Sequence, residues 1–203
     1  MKMVALSGSL RSGSYNTALL NDVRKRFSDQ IDVRIYSIHD IPLYNGDIEN
    51  LEGLPAIVVE IKQALISCDA LLIATPEYNH SIPGVLKNAI DWLSRPPKDI
   101  KHVFNGLPVA VMGASTGGFG TMLAQQAWLP IFHVLGMKPW FGDSLCISHA
   151  YNVFDELGEI ENPQVISQLR KFIQGFINFV QADNIRLESE KQEIMHEQVE
   201  TFL

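Results

Sequence analysis

A ten-residue segment near the N-terminus, residues 8–17, has the composition of a loop that holds a phosphate. Two glycines leave room for a ligand near backbone N–H groups, the hydroxyls of Ser9, Ser14 and Thr17 offer donors, and Arg11 offers a planar cation. A helical pattern follows directly, so the positive end of a helix dipole would face the same ligand. The alternative is a polar connection in which Ser14 or Asn16 only caps a helix.

The same segment departs from three known kinds of phosphate loop. A nucleotide-hydrolase loop needs Lys and then Ser or Thr where this chain has Ser14 and Tyr15. A dinucleotide fingerprint needs a glycine where Leu10 stands. Neither Cys68 nor Cys146 lies in the segment, which excludes a phosphatase loop built on a cysteine nucleophile. A phosphate monoester held by hydroxyls, N–H groups and one arginine remains.

Composition limits the class of protein. The 203 residues, 46% hydrophobic and 19% charged, fit one globular domain of ordinary size. A net charge of −7 argues against a nucleic-acid partner. Two cysteines outside any metal-ligand spacing indicate a reducing compartment and predict no metal site. No run approaches about 20 apolar residues, so we expect a cytoplasmic protein with no membrane partner.

Strand and helix patterns alternate along the chain and must position this loop. Strand patterns cover residues 3–6, 33–38, 70–74, 109–112 and 140–147. Helical patterns cover residues 17–27, 56–67, 84–93, 121–135 and 164–180. Such alternation predicts an α/β fold, a doubly wound five-stranded parallel sheet with helices on both faces. Residues 39–54 read as an irregular connection, and residues 183–203 as a charged helical or frayed tail outside a domain of residues 1–182.

Two further loops follow predicted strands, where ligands of open α/β sheets bind. Residues 75–84 contain two prolines and Tyr78, typical of a stiff loop that presents N–H groups to a flat ring. Residues 113–120 contain four glycines, which would let a ring come close while helix-end N–H groups stabilise negative charge. Each loop could instead be an ordinary turn or rigid connection. Together the three loops predict a site for a mononucleotide with a planar head group.

The residues of the first two loops also carry a resemblance. Gly8-Ser9-Leu10-Arg11 with Ser14, Asn16 and Thr17, and the run from Thr75-Pro76-Glu77-Tyr78-Asn79 to Asp91-Trp92, resemble the NADPH-dependent FMN reductase family. The resemblance covers about residues 2–182 and implies a flavodoxin-like fold, FMN as cofactor and NADPH or NADH as donor. It implies cofactor contacts at thirteen positions: Ser9, Arg11, Ser14, Tyr15, Asn16, Thr17, Pro76, Glu77, Tyr78, Asn79, Ser115, Thr116 and Gly117.

The resemblance further implies a chemistry carried by the cofactor. A hydride would pass from the nicotinamide through FMN N5 to a small-molecule acceptor, such as a quinone, azo compound, nitroaromatic, chromate or free flavin, in a ping-pong scheme. No catalytic acid or base is assigned, and the Glu77 carboxylate is expected to turn away from the ring. The family implies a homodimer or homotetramer. Two alternatives stay open: a flavodoxin-like electron carrier without enzymatic activity, and a relative that has lost FMN.

Overall fold

The computed structural model describes residues 1–189 with their side chains and follows the last helix to Thr201. Its centre is a parallel sheet in the order β2-β1-β3-β4-β5, with β6 also paired to β4. The strands are β1 (Lys2–Ser7), β2 (Asp32–Tyr36), β3 (Ala70–Ala74), β4 (Pro108–Ala114), β5 (Lys138–Pro139) and β6 (Cys146–Ile147). The strand order reverses between β1 and β3, so a ligand crevice is expected beyond the ends of these two strands.

Helices cover both faces of the sheet. They are α1 (Tyr15–Arg26), α2 (Gly46–Glu52), α3 (Ala56–Ile66), α4 (Gly84–Leu93), α5 (Ile100–Val103), α6 (Met122–Ala127), α7 (Leu129–Leu135) and α8 (Pro163–Thr201). Met3 and Ala5 of β1 pack into one core with α1 and α8. Val4 and Leu6 pack into a second core with α3, α4, α5 and α7. Successive side chains of a strand point to opposite faces, which explains the uninterrupted apolar strand patterns.

The prediction of five strands is wrong by one, because the expected fifth strand is split. Pro108 and Val109 of β4 pair with β5, whereas Gly113 and Ala114 pair with β6. Between the two short strands the chain leaves the sheet at Trp140, whose ring packs against Phe172 of α8 with 4.9 Å between ring centroids. The buried aromatic contact therefore replaces strand pairing in the middle of this edge.

Two other predicted elements differ from the structure. The single helix expected at 121–135 is two helices that meet at Trp128, because Pro130 in the first turn of α7 has no N–H to continue α6. The irregular connection at 39–54 contains α2, which begins after an Asn45 cap and buries no side chain. A helix without a buried face leaves no hydrophobic period in the sequence.

The predicted charged tail continues α8 without a break. Among the residues described with their side chains, Val180 is the last of α8 in the core, and Asp183 forms ion pairs with Lys138 and Arg186. The helical backbone extends to Thr201, and the final two residues of the predicted tail lie outside the described residues. The division into a domain of residues 1–182 and a tail of residues 183–203 stays a prediction.

Candidate functional site

The three loops meet at the carboxyl ends of β1, β3 and β4 and enclose a cleft of about 340 Å³. Its lining contains ten of the thirteen predicted positions together with Ala114. The lining residues are Ser9, Arg11, Ser14, Tyr15, Asn16, Pro76, Glu77, Tyr78, Ala114, Ser115 and Thr116. Residues up to 107 positions apart in sequence, Ser9 and Thr116, thus form one site, because parallel strands end at the same edge of the sheet.

The first loop presents backbone donors to this cleft. Ser14 caps α1, with its Oγ accepting a hydrogen bond from Thr17 N at 3.2 Å. The N–H groups of Gly13, Tyr15 and Asn16 have no acceptor among the described residues. A Cβ at Gly13 would meet nothing within 4 Å, so the backbone is open to a ligand there. Unfilled N–H groups at the start of a twelve-residue helix suit an anion.

Arg11 supplies the cation of this loop. Its guanidinium donates to Gly13 O at 2.9 Å and lies over the Tyr15 ring, 5.8 Å from the centroid. The side chain is thereby folded back over its own loop, where a phosphate on the free N–H groups would lie within its field. Arg11 is exposed, so it can exchange its contact with the Gly13 carbonyl for a more strongly charged acceptor.

Asn16 holds the first loop against the end of β4. Its side-chain amide donates to Ala114 O at 2.8 Å and accepts from Ala114 N at 2.9 Å, and the whole residue is buried. The amide oxygen and one amide hydrogen are thus already used within the protein. Asn16 has its backbone N–H left for a cofactor, and its side chain fixes the distance between two walls of the cleft.

Gly8 allows the first and second loops to pack together. A Cβ at this position would lie 2.7 Å from the Pro76 ring and 3.0 Å from the Pro83 ring. These distances are shorter than any ordinary carbon contact, so only glycine fits without moving a loop. The space beside the Gly8 Cα is therefore filled by the rings of Pro76 and Pro83, whereas the space beside Gly13 is open to a ligand.

The middle of the second loop is a tight hairpin turn. Tyr78 and Ser81 exchange two backbone hydrogen bonds of 3.1 and 3.2 Å. The two residues between them, Asn79 and His80, have φ values of +51° and +59°. Positive φ at both central positions is the geometry of a type I′ turn, which Asn tolerates better than most residues. The turn holds Tyr78, about half exposed, at the rim of the cleft.

Glu77 turns its carboxylate away from the cleft, as expected. One carboxylate oxygen accepts hydrogen bonds from Leu123 N at 2.9 Å and Ala124 N at 3.0 Å, at the start of α6. The other lies 3.4 Å from His80 Nδ1. The N–H groups of Glu77 and Asn79 have no acceptor within the described part of the chain and remain available to a ligand.

The third loop is shaped by close backbone contacts. A Cβ at Gly113 would lie 2.1 Å from Thr75 O, which places β4 directly against the start of the second loop. Gly120 has φ of +61° and approaches the Cys146 carbonyl carbon, where a Cβ would lie at 2.9 Å. Gly117 donates to Ser115 Oγ at 3.1 Å, and the Thr116 N–H has no acceptor in the described residues. Thr116 can therefore contribute a donor.

Three predicted positions do not line the cleft. Thr17 donates its hydroxyl to Ser7 Oγ at 2.8 Å behind the first loop. Asn79 lies in the hairpin turn and Gly117 lies beyond the rim. These contacts make Thr17 a support of the loop in the structure. Direct contact of all three with the cofactor stays a prediction.

His149 lies beside the third loop, a position that the sequence did not predict. It follows β6 with φ of +47°, its N–H donates to Gly117 O at 3.3 Å, and its ring lies 3.3 Å from the Tyr151 hydroxyl. The imidazole also borders Gly118, where a Cβ would lie 3.7 Å away. The rule that ligands bind after strands would have found it if the split fifth strand had been recognised.

Other predicted residues have structural roles. Asn88 of α4 binds Tyr44 N and Pro42 O, and Trp92 Nε1 also donates to Pro42 O. The latter part of the long second motif therefore fixes the connection after β2. Trp128 is fully buried and stacks on Phe132, so it belongs to the core.

The described residues contain no group of three or more metal-ligating side chains and no helix long and apolar enough to cross a membrane. Burial raises the pKa of the Cys146 thiol, and burial raises that of Cys68 to about 11. Both thiols are therefore protonated at neutral pH and are poor nucleophiles.

Comparison with known proteins decides the family. The family model described as NADPH-dependent FMN reductase matches residues 1–152. The chain belongs to this family. An NAD(P)H-dependent FMN reductase from Pseudomonas aeruginosa is 41% identical over 175 residues, 86% of this chain and 92% of the relative. A 2-hydroxy-1,4-benzoquinone reductase from a Burkholderia species is 34% identical over 178 residues, 88% and 93% of the two chains.

Structural comparison agrees with this family. The flavoenzyme NAD(P)H:(acceptor) oxidoreductase FerB from Paracoccus denitrificans aligns with a TM-score of 0.80 and 29% identity, covering 90% of this chain and 98% of FerB. The flavodoxin-like fold is thereby confirmed. Membership of the family makes the chain an FMN-dependent oxidoreductase that uses NAD(P)H, which argues against the electron carrier.

Proposed function

We propose that this chain reduces quinones with electrons from NAD(P)H and that FMN binds in the cleft formed by the three loops. The observation that carries the proposal is the convergence of free N–H groups from all three loops on one cleft next to Arg11. Relatives named as quinone reductases, including one from Escherichia coli at 34% identity, support the acceptor class.

FMN fits the groups present at each end of this cleft. The open backbone at Gly13, the N–H groups at the start of α1 and the Arg11 guanidinium suit a phosphate dianion. The N–H groups of Glu77, Asn79 and Thr116 suit the polar edge of a flat ring. When bound, FMN supplies the redox chemistry, taking a hydride from NAD(P)H and passing the electrons to the acceptor in a ping-pong sequence.

The protein's own contribution is binding, orientation and electrostatics. Asn16 and Gly113 fix the positions of the first and third loops relative to β4. The Thr116 N–H is placed to stabilise the negative charge that collects on the reduced ring. The Glu77 carboxylate, which would oppose that charge, is held by N–H groups of α6 instead. Tyr78 at the rim offers an apolar surface beside an incoming acceptor.

Anaerobic absorption spectroscopy tests the proposal. Purified protein with FMN is expected to show flavin bands that bleach on addition of NADPH and return on addition of 1,4-benzoquinone. Varying both substrates should give parallel double-reciprocal lines if NAD(P)+ leaves before the quinone binds. Flavin that is reduced by NADPH but is not reoxidised by the quinone would contradict the acceptor, and intersecting lines would contradict the ping-pong order.

We further propose a homodimer or homotetramer that works in the cytoplasm. Leu43 and Leu51 are 81% and 85% exposed on the segment around α2, where a second subunit would cover them. Both cysteines are free thiols, as expected in a reducing compartment. Light scattering at micromolar concentration should give a dimer or tetramer mass, and a monomer mass would contradict the assembly. Cell fractionation tests the location.

A further inference from the structure

Along the outer edge of β4, the backbone hydrogen bonds to the neighbouring chain are interrupted at one residue, Val111, and we call this interruption the gap. Val109 O accepts from Trp140 N at 2.9 Å, and Gly113 N donates to Leu145 O at 3.0 Å. Val111 lies between them, and the parallel register with β3 directs its N–H and C=O to this outer edge. Among the described residues neither group has a hydrogen-bond partner. One backbone donor and one acceptor are thus left open in the middle of a paired strand.

The gap opens into a cavity of about 530 Å³. Most of its lining is apolar and includes Val109, Val111, Met122, Leu129, Trp140 and Phe141; the polar lining residues are Gln125, Gln126, Asp143 and Ser144. The chain between β5 and β6 leaves this space because the Trp140 ring packs against α8, where Gly175 has no side chain to block it. The volume and apolar walls are those of a small-molecule site.

We propose that this cavity binds a flat heteroaromatic molecule that carries a hydrogen-bond donor next to an acceptor, as a lactam or an aminopyrimidine does. Its edge would pair with the N–H and C=O of Val111, and its ring would lie among the apolar walls. Val111 is half-buried, and its two unpaired backbone groups offer a ligand hydrogen bonds in addition to the apolar contact.

The geometry of the gap excludes an added strand. An extended peptide pairs with a run of residues along a free edge. Here β5 and β6 occupy the edge on both sides of Val111, so a partner strand cannot continue past one residue. A short planar group is the occupant that the space admits.

The site is separate from the flavin cleft but connected to it by α6. Met122 and Gln125 line the cavity, whereas the N–H groups of Leu123 and Ala124 hold Glu77 of the second loop. None of the cavity residues lines the cleft. The inference does not depend on the acceptor or on the ping-pong order.

Two probes that differ in one group test the inference on the FMN-loaded protein. 2-Quinolone has a lactam N–H beside its C=O, and 1-methyl-2-quinolone lacks the N–H. Titration of ¹⁵N-labelled protein is expected to shift the Val111 amide resonance with 2-quinolone and to give at least ten-fold weaker binding of the methylated probe. Leu129→Trp should fill the cavity and abolish the shift. Val134→Trp, on the exposed side of the same helix and outside the cavity, should leave it unchanged.

Several results would overturn the inference. Equal binding of the two probes would mean that Val111 makes no specific pair with the ligand. Shifts confined to Thr116 and its neighbours would place the probe in the flavin cleft. Light scattering of the two variants gives the last test. If Leu129→Trp has the mass of a smaller assembly and Val134→Trp does not, a second copy of the chain covers the cavity instead.

Discussion

Individual residues divide into those that would touch the cofactor and those that hold the loops. Arg11 lines the cleft and the backbone at Gly13, next to Ser14, is open, whereas the Asn16 side chain is bound to Ala114 on β4. Gly8 and Gly113 are needed because protein atoms occupy the space that a Cβ would take. Residue type alone therefore does not tell a ligand-binding position from a supporting one.

Arg11→Ala should weaken FMN binding by about 1.5–3 kcal/mol, because one charge-assisted contact to the phosphate is lost. The expected result is a dissociation constant raised roughly 10- to 150-fold at 25 °C. Quenching of FMN fluorescence on binding measures it. Arg34→Ala, on an exposed arginine of β2, is the matched control and should change nothing. Unchanged affinity in Arg11→Ala would remove Arg11 from the site.

Gly113→Ala should lower the free energy of unfolding strongly, whereas Gly13→Ala should hardly change it. A Cβ at Gly113 would overlap Thr75 O, so β4 and the second loop must separate, at a cost of about 3 kcal/mol in the free energy of unfolding. A Cβ at Gly13 meets nothing within 4 Å and should cost less than about 0.5 kcal/mol. Urea unfolding measures both, and comparable losses would contradict the close packing at Gly113.

Whole elements are positioned by a few polar contacts at their ends. Glu77 joins the second loop to α6, and Glu49 joins α2 to the body of the protein. α6 has six residues and α2 has seven, both too short to be stable alone. The position of each short helix thus depends on one carboxylate: Glu77 of the second loop for α6, and Glu49 of the helix itself for α2.

Glu77→Ala should loosen α6, whereas Glu77→Gln should keep it in place. The alanine leaves the N–H groups of Leu123 and Ala124 without their acceptor, at a cost of about 1–2 kcal/mol. The glutamine oxygen can still accept both bonds. Amide hydrogen exchange at Leu123 and Ala124 should be at least ten-fold faster in the alanine variant only. Equal exchange in the two variants would show that the contact does not hold α6.

The attachment of α2 should weaken in acid. The hydrogen bond from Arg95 lowers the pKa of the Glu49 carboxyl, and Tyr44 also donates to it. A carboxyl with a lowered folded-state pKa stabilises the fold above its ordinary pKa, and the contribution is lost as the pH falls through the lowered value. NMR shifts of α2 should therefore change below about pH 4.5. They should lose that dependence in Glu49→Gln, and persistence of it there would contradict this assignment.

At the scale of the molecule, the body and the tail are distinct. The two cores flank one parallel sheet, and the cleft lies where the strand order reverses. α8 contributes core side chains from Leu169 to Val180 and its last described ion pairs at Asp183. We therefore expect folding and cofactor binding to require the body, and the charged end of α8 to contribute to neither.

A chain ended after Ser189 tests this division. It keeps the contacts of Val180 and the ion pair between Asp183 and Lys138. We expect its free energy of unfolding and its FMN affinity to match the full chain within about 0.5 kcal/mol. We also expect the same mass by light scattering. A chain ended after Leu169 is the contrasting control and should unfold, because it lacks four buried side chains of α8 between Phe172 and Ile177.

Local patterns in the sequence were enough to predict the α/β alternation, the positions of the first four strands and the three loops after them. These features are local, because apolar periodicity and the glycine and proline content of a loop are set within about ten residues. The first two loops also carried the resemblance that comparison confirmed.

Which of these residues line the cleft depends on how distant segments pack, and the local patterns did not show it. Asn16 bonds to a residue 98 positions away, and Gly8 faces prolines of another loop. The split of the fifth strand follows from the packing of Trp140 on α8, which no local pattern encodes. The cavity at Val111 arises from that split. Contacts between distant segments are determined by how the layers pack, and a single sequence does not display them.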